Sequence, residues 1–353
     1  MGFDTPRVDM GFDTQKIKNL LPERHPQQEM FICDVADAVL KDDMASMEHP
    51  FFSLSKKPDI TPRRYENGNK WLEVIPSVKG LATIYDKDVL IYCISQMIHK
   101  SNQGNPISRH IKINAHELLI FTNRSTGGKN YEQLRDALDR LDGTRVRTNV
   151  RTADQEVHKG FGLIESFNIV RSEQTGRILE MAVTLSEWVF NAIEANEVLT
   201  IDPTYFRLRK AIERRVYEIA RKHCGKQKLW RISIINLKKK CGSRAPPKGF
   251  RHNIKQIAEG NHLPQYAVTY DYERDMVTFY NREFIDAITV YDGIKIDSET
   301  YHDAKICAPG WDIYYLENAW RSWMADNDLE IPRSPDRAFI GFCRRWFEKF
   351  GAA

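Results

Sequence analysis

An order of elements that occurs twice constrains this chain more than any other feature of its sequence. In the first occurrence His110-Ile-Lys-Ile113 alternates as a short strand, and Asn114 follows as an N-cap with Glu117 three residues on, ahead of Leu118 and Leu119. A second helix opens at Asn130, carries Leu134, Ala137, Leu138 and Leu141 at helical spacing, and stops at Gly143. Strands follow in TRVRTNVRT, KGFGLIESFNIV and RILEMAVTL, the last two joined by a Gln-Thr-Gly turn. In the second occurrence Trp230-Arg-Ile232 alternates, Ser233 is the cap with Asn236 in the third position, and Leu237 takes the place of Leu118. The distance from cap to helix exit is 29 residues in the first copy, Asn114 to Gly143, and 27 in the second, Ser233 to Gly260. QYAVTYDY and MVTFYN then flank Glu273-Arg274-Asp275 as a hairpin.

Each copy is preceded by a helix. One starts near Asp86 with Val89, Leu90, Cys93, Ile94 and Met97 on one face; the other runs from Tyr205 to His223 with Leu208, Ile212, Val216 and Ile219 inward. Matched caps and exits predict an α+β chain of tandem winged-helix domains with a C-terminal helical appendage. Two small α+β cores that bind nothing are the bland alternative.

With 353 residues and 42% hydrophobic content, the chain can bury more than one core. Its expected division is 1–45, a peripheral segment in which MGFDT occurs at Met1 and again at Met10; 46–198, a first winged-helix domain for dimerisation and accessory DNA contacts; 199–296, a second that is the main DNA reader; and 297–353, a linker with an aromatic-rich helical appendage. The appendage carries stripes at Trp311, Tyr315, Trp320 and Trp323, and at Phe339, Phe342, Trp346 and Phe350. Apolar runs such as VLIYCISQMI are too short to span a membrane, and no charged-then-apolar leader begins the sequence, so a cytoplasmic protein without membrane contact is expected. Six cysteines without a CxxC pair read as reduced core thiols, and neither metal nor other cofactor is expected. STGGKN around Gly128 lacks P-loop spacing and reads as a helix-opening loop. No HExxH or nucleophile–base set stands out, so no enzymatic activity is expected.

Charge is unevenly placed. Between Thr204 and Gln256 there are 17 Lys and Arg against 2 Glu, a local excess of +15 that leaves −11 on the rest of a chain whose net charge is +4. Such mutual repulsion is relieved by a polyanion, and nucleic acid is the obvious one. In the second copy, helical spacing turns Lys248, Arg251, His252, Lys255 and Gln256 outward, as donors suited to base edges in a major groove. Lys238, Lys239, Lys240 and Arg244 stand at the turn, where they would contact phosphates and set register. Arg207, Lys210, Arg214 and Arg221 on the preceding helix extend the footprint or form a solvated basic face. The matching helix of the first copy shows Glu132, Asp136, Asp139 and Asp142 outward, which suits protein contact better than DNA. On the strand after it, Arg145, Arg147, Asn149 and Arg151 share one face, a line of possible backbone contacts.

Long specific runs, DDMASMEHPFFSLSKKPD, VIPSVKGLATIYDKDVLIYCISQMI, GFGLIESFNIV, YFRLRKAIERRVYEIARKHCGKQ and AFIGFCRRW, resemble the replication initiator protein A family of bacterial plasmids from about Met30 to the end of the chain. The resemblance implies a plasmid protein that binds repeated sites in double-stranded origin DNA, promotes opening of adjacent A+T-rich duplex, and recruits the host initiator and replicative helicase. It also implies a homodimer in equilibrium with monomer, the dimer repressing its own gene and so contributing to copy-number control. A winged-helix repressor without a replication role, a structural interaction protein and a nicking initiator are the alternatives.

Overall fold

The computed structural model of the chain describes residues 19–25, 32–34, 51–67, 70–152, 155–174, 178–194, 198–287, 294–327 and 329–351. The MGFDT pair, the centre of the Gln-Thr-Gly turn and the side chain of Arg151 lie outside the described residues. The protein is mixed α+β, with several small antiparallel sheets. It divides into an N-terminal unit, Lys18–Lys222 with Lys238–Ala245, and a C-terminal unit, His223–Leu237 with Pro246–Ala353.

The N-terminal unit begins with β1 (Ile32–Asp34), β2 (Arg63–Asn67) and β3 (Lys70–Ile75), followed by α1 (Lys87–Asn102), β4 (His110–Lys112), α2 (Ala115–Phe121) and α3 (Gly128–Gly143). Asn114 caps α2 as its sequence implies: Oδ1 accepts the His116 and Glu117 N–H groups at 3.0 and 3.3 Å, and Nδ2 donates to Glu117 Oε1. Val89, Cys93 and Ile94 of α1 join Leu118 of α2 and Leu134, Leu138 and Leu141 of α3 in one core. Gly143, the last residue of α3, has no room for a side chain, since a Cβ there would lie 2.3 Å from Ser77 Cβ. KGFGLIESFNIV is divided: β5 (Arg145–Thr152) and β6 (Gln155–Gly162) extend a sheet of order β2-β3-β5-β6, whereas β7 (Ile164–Arg171) and β8 (Ile178–Leu185) form the order β4-β8-β7.

After α4 (Glu187–Glu194), β9 (Leu199–Ile201) pairs with β1, and the continuous helix expected from Tyr205 is broken in two. A 3-10 turn occupies Pro203–Arg207, and α5 starts afresh at Ala211 and runs to His223. Glu213 explains the restart: its Oε2 accepts the Arg209 and Lys210 N–H groups at 3.1 and 2.9 Å, satisfying donors that a helix start leaves open.

The C-terminal unit contains β10 (Leu229–Ser233), α7 (Pro247–Gly260), β11 (Tyr266–Asp271) and β12 (Met276–Asn281), in sheet order β10-β12-β11. The first strand pairs with the last, as in β4-β8-β7. α6 (Ile234–Cys241) has its first turn in this unit and its last in the other. Phe250, Ile254 and Ile257 are the buried stripe of α7, as the sequence predicts. The stretch expected as a linker is instead α8 (Ser298–Cys307), whose short inner face buries Thr300 and Ala304 and so leaves no apolar stripe to read. It packs with α9 (Ile313–Asp326) and α10 (Pro335–Phe350) around Leu316, Trp320 and Phe339. Arg231 of β10 and Arg321 both bond to the buried carboxylate of Glu317 on α9, which also accepts the Tyr301 hydroxyl at 2.8 Å. No described helix is long and apolar enough to cross a membrane.

Candidate nucleic-acid interface

In the C-terminal unit, the face of α7 opposite Phe250, Ile254 and Ile257 carries Lys248, His252, Lys255 and Gln256, all exposed. Pro247 in the first turn presets the backbone for helix, and Asn261 ends it in the left-handed region at φ 43°. Lys255 lies 3.6 Å from Glu259 and 5.5 Å from the Tyr272 ring centroid. These contacts restrain the ammonium group without burying it.

Arg251 is placed differently from its neighbours. Its Nε donates to Asp275 Oδ1 at 3.0 Å and its Nη2 to Oδ2 at 2.5 Å, which occupies one edge of the guanidinium fork. Asp275 ends the β11–β12 turn with φ 53°, and its carbonyl accepts the Ile234 N–H at 2.9 Å, so the same residue is tied to the start of α6. Tyr270 also donates its hydroxyl to Asp275. The hydrogen bonds from Arg251 hold the Asp275 carboxyl below its ordinary range, and burial followed by the hydrogen bond to Asp275 pushes the Tyr270 phenol up to about 12. Tyr272, 57% exposed, packs against Tyr270 with ring centroids 4.4 Å apart. Asp275, Tyr270 and Tyr272 were not singled out from sequence; the turn was legible there, its pairing with α7 was not.

In the N-terminal unit, Lys239 is exposed and Lys238 and Lys240 are half-buried in the last turn of α6, where cations also complement the helix dipole. Arg244 is exposed but bonds to the buried carboxylate of Asp59 at 3.2 and 3.3 Å. Burial works against ionisation of Asp59, yet hydrogen bonds from Arg63 and the Thr61 N–H, with the charges of Arg63 and Arg244, hold its carboxyl below the usual value.

The four cations expected on the helix before the second copy separate. Lys210 is exposed. Arg207 donates to the Leu21 carbonyl at 2.9 Å, and Arg221 to the Thr200 carbonyl at 2.7 Å. Arg214 corrects the outward assignment: its side chain is 4% exposed and its Nη1 donates to Asp88 Oδ1 at 2.8 Å. The break before α5 turns this arginine inward, where Tyr85 and Tyr205 flank it. Arg145 and Arg147 are exposed on β5, opposite Gly162 and Gly160 of β6. A Cβ at Gly162 would come within 2.6 Å of the Ile164 carbonyl oxygen and 3.3 Å of Arg145 Nη1. Asn149, expected on the same face, is buried and accepts the Trp71 N–H at 2.7 Å.

Among the described residues no group of three His, Cys, Asp or Glu could hold a metal ion. Cys93, Cys224, Cys241 and Cys343 are buried, and burial pushes each thiol up to about 12, which makes them poor nucleophiles.

In the C-terminal unit, a helix with an exposed donor face is thus bonded to the turn of an adjoining β-hairpin, within a mixed α+β protein. The profile of the family described as Replication initiator protein A matches residues 41–268. A candidate replication protein of Wigglesworthia glossinidia brevipalpis is 39% identical over 278 residues, covering 77% of this chain and all of that protein. The chain belongs to the Replication initiator protein A family. Among solved structures, domains 2 and 3 of RctB superpose with a TM-score of 0.52 at 12% identity, over 70% of this chain and 98% of that one, a likeness of fold.

Proposed function

We propose that this protein initiates plasmid replication by binding repeated sites in origin DNA through two winged-helix units, without covalent chemistry. The observation that carries this reading is the exposed donor face of α7, in a chain of the Replication initiator protein A family. The common strand order of β4-β8-β7 and β10-β12-β11 supports the pairing of two such units. α7 lies in the major groove, with Lys248, His252, Lys255 and Gln256 at base edges and the β11–β12 turn against the backbone. Lys238, Lys239, Lys240, Arg244, Arg145 and Arg147 supply phosphate contacts that set register. The acidic face of α3, with Glu132 and Asp142 exposed, serves contact with a second copy.

Several bound copies, together with the host initiator and helicase, supply the energy for opening the duplex. Bending a site alone costs on the order of 1 to 6 kcal/mol. The decisive experiment is footprinting on the plasmid that carries the gene, combined with transplanting the protected region into a replicon that lacks an origin. Protected direct repeats that confer replication support the proposal. A single protected palindrome with no replication makes the protein a repressor.

A further inference from the structure

The STGGKN loop that opens α3 borders a cavity lined by none of the residues proposed to contact DNA. The cavity has a volume of about 570 Å3 and lies wholly within the N-terminal unit. Ser125, Asn130 and Gln133 come from the loop and the first turns of α3; Lys56 and Lys57 come from the segment before β2. Arg24 is brought in by the stretch Leu20–Arg24, whose Pro22 and Arg24 backbone groups Asn123 holds. Arg24 N–H donates to Asn123 Oδ1 at 2.8 Å, and Asn123 Nδ2 donates to the Pro22 carbonyl at 3.0 Å. Asn123 holds this position at φ 55°, a left-handed conformation uncommon outside glycine. Arg209 completes the rim and is fixed by donation to the Leu20 carbonyl at 2.8 Å.

The electrostatics of the lining are one-sided. Asp86 is the one carboxylate among the described lining residues, and both its oxygens are taken by Arg140, at 2.7 and 2.8 Å. Arg124 and Arg214 share Asp88, and Lys79 is paired with Asp139. That leaves Arg24, Lys56, Lys57 and Arg209 around one concavity with no described carboxylate as partner. Four cations held at one mouth repel each other unless an anion sits between them. The same walls include the Tyr85 and Phe206 rings with Leu21, Leu81 and Leu208, an apolar surface that a phosphate ion would not fill. A volume of this size belongs to the range of small-ligand sites, roughly 300 to 1,000 Å3.

We propose that this cavity binds a nucleoside polyphosphate, with Arg24, Lys56, Lys57 and Arg209 on the phosphates and the aromatic and aliphatic wall against the base. The test titrates the full-length protein at fixed salt with fluorescently labelled ADP, competed by unlabelled ADP and by inorganic pyrophosphate, and repeats it with Lys56→Gln/Lys57→Gln and with Lys239→Gln. Both lysines at 56 and 57 are exposed, so the double variant should melt with the parent. Saturable binding is expected, weakened about tenfold or more by the double variant as two charge-assisted contacts are lost, and unchanged in Lys239→Gln. Absence of saturable binding at millimolar ADP, or equal binding by the double variant, overturns the proposal. So does a double variant that loses affinity for random duplex DNA while ADP binding is undetectable, because the cations would then serve DNA backbone phosphates.

Discussion

Arg251 of α7 and Asp275 of the β11–β12 turn are joined by two hydrogen bonds, Nε to Oδ1 at 3.0 Å and Nη2 to Oδ2 at 2.5 Å. The pair fixes the hairpin turn to the helix proposed to enter the groove. It also uses the guanidinium edge that a guanine would need. Arg251 is therefore best understood as acting through Asp275, by neutralising and positioning it. Arg251→Ala should weaken binding to origin and random DNA alike, because an unpaired carboxylate then faces the phosphates. Adding Asp275→Ala should recover most of that loss. A loss confined to origin DNA, unrepaired in the double variant, would return Arg251 to direct base reading; titrations of the four proteins on both DNAs decide it.

Lys255 and Gln256 carry the opposite expectation. Both are exposed on α7 and have reach beyond the helix surface. Replacing either with Ala should cost roughly 1 to 3 kcal/mol on the origin repeat and much less on random DNA, as a lost base contact does. Equal losses on the two would place these residues on phosphates.

The triple lysine run separates two physical roles. If Lys238, Lys239 and Lys240 contact phosphates, changing all three to Gln should lower affinity on every sequence and flatten the salt dependence by about 0.9 per contact removed. If they merely complement the end of α6, stability falls slightly and the salt slope stays as it was. Binding isotherms over a range of salt distinguish the outcomes.

The parts of this architecture legible from sequence are those set by local chemistry. The Asn114 cap, the Leu134 and Leu138 stripe, and the inward Phe250, Ile254 and Ile257 follow from spacing and capping alone. What escaped the sequence was fixed by partners distant along the chain. Arg214 fits the outer face of a continuous helix, but Glu213 restarts that helix and Asp88, more than a hundred residues earlier, receives the guanidinium. The α8 helix was hidden because it buries little more than Thr300 and Ala304. For the candidate interface, composition pointed to the basic segment, whereas the Asp275 and Asp59 partners of its arginines emerge from tertiary contacts.

Acid should loosen the C-terminal unit through Glu317. Burial opposes its ionisation, but the charges of Arg231 and Arg321 and the hydrogen bonds from Arg321 and Tyr301 outweigh it and hold the carboxyl below its ordinary value of 4.5. A depressed folded-state value means that the stabilisation is fully present above the unfolded value and is lost as pH falls through the folded one. Tryptophan fluorescence from Trp311, Trp320, Trp323 and Trp346 should therefore report weakening below about pH 4.5. Glu317→Ala should destabilise by about 3 to 5 kcal/mol at neutral pH, because two arginines lose their buried partner. An acid transition identical in Glu317→Gln would show that other carboxylates govern it.

The proposed division of labour is testable by cutting the chain, and the structure moves the place to cut. A break near Leu199 would remove β9 from β1 and take Glu218 from buried Lys87 and Arg214 from buried Asp88. A break after Lys222 keeps those pairs together. The fragment from His223 then retains β10, α6, α7, the hairpin and the Arg231–Glu317 bond; its identified losses are the donation from Arg215 to the Lys240 carbonyl at 3.0 Å and the bonds from Arg244 to the Asp59 carboxylate at 3.2 and 3.3 Å. It should bind the origin repeat specifically, with lower affinity because Arg145 and Arg147 are gone. The fragment ending at Lys222 should bind DNA weakly, without sequence preference, and self-associate through the α3 side. Titration against the repeat and a scrambled duplex, with sedimentation for mass, measures both. Sequence-specific binding by the Lys222-terminated fragment, or its absence from a His223 fragment with a cooperative melt, would make reading a joint property of the two copies.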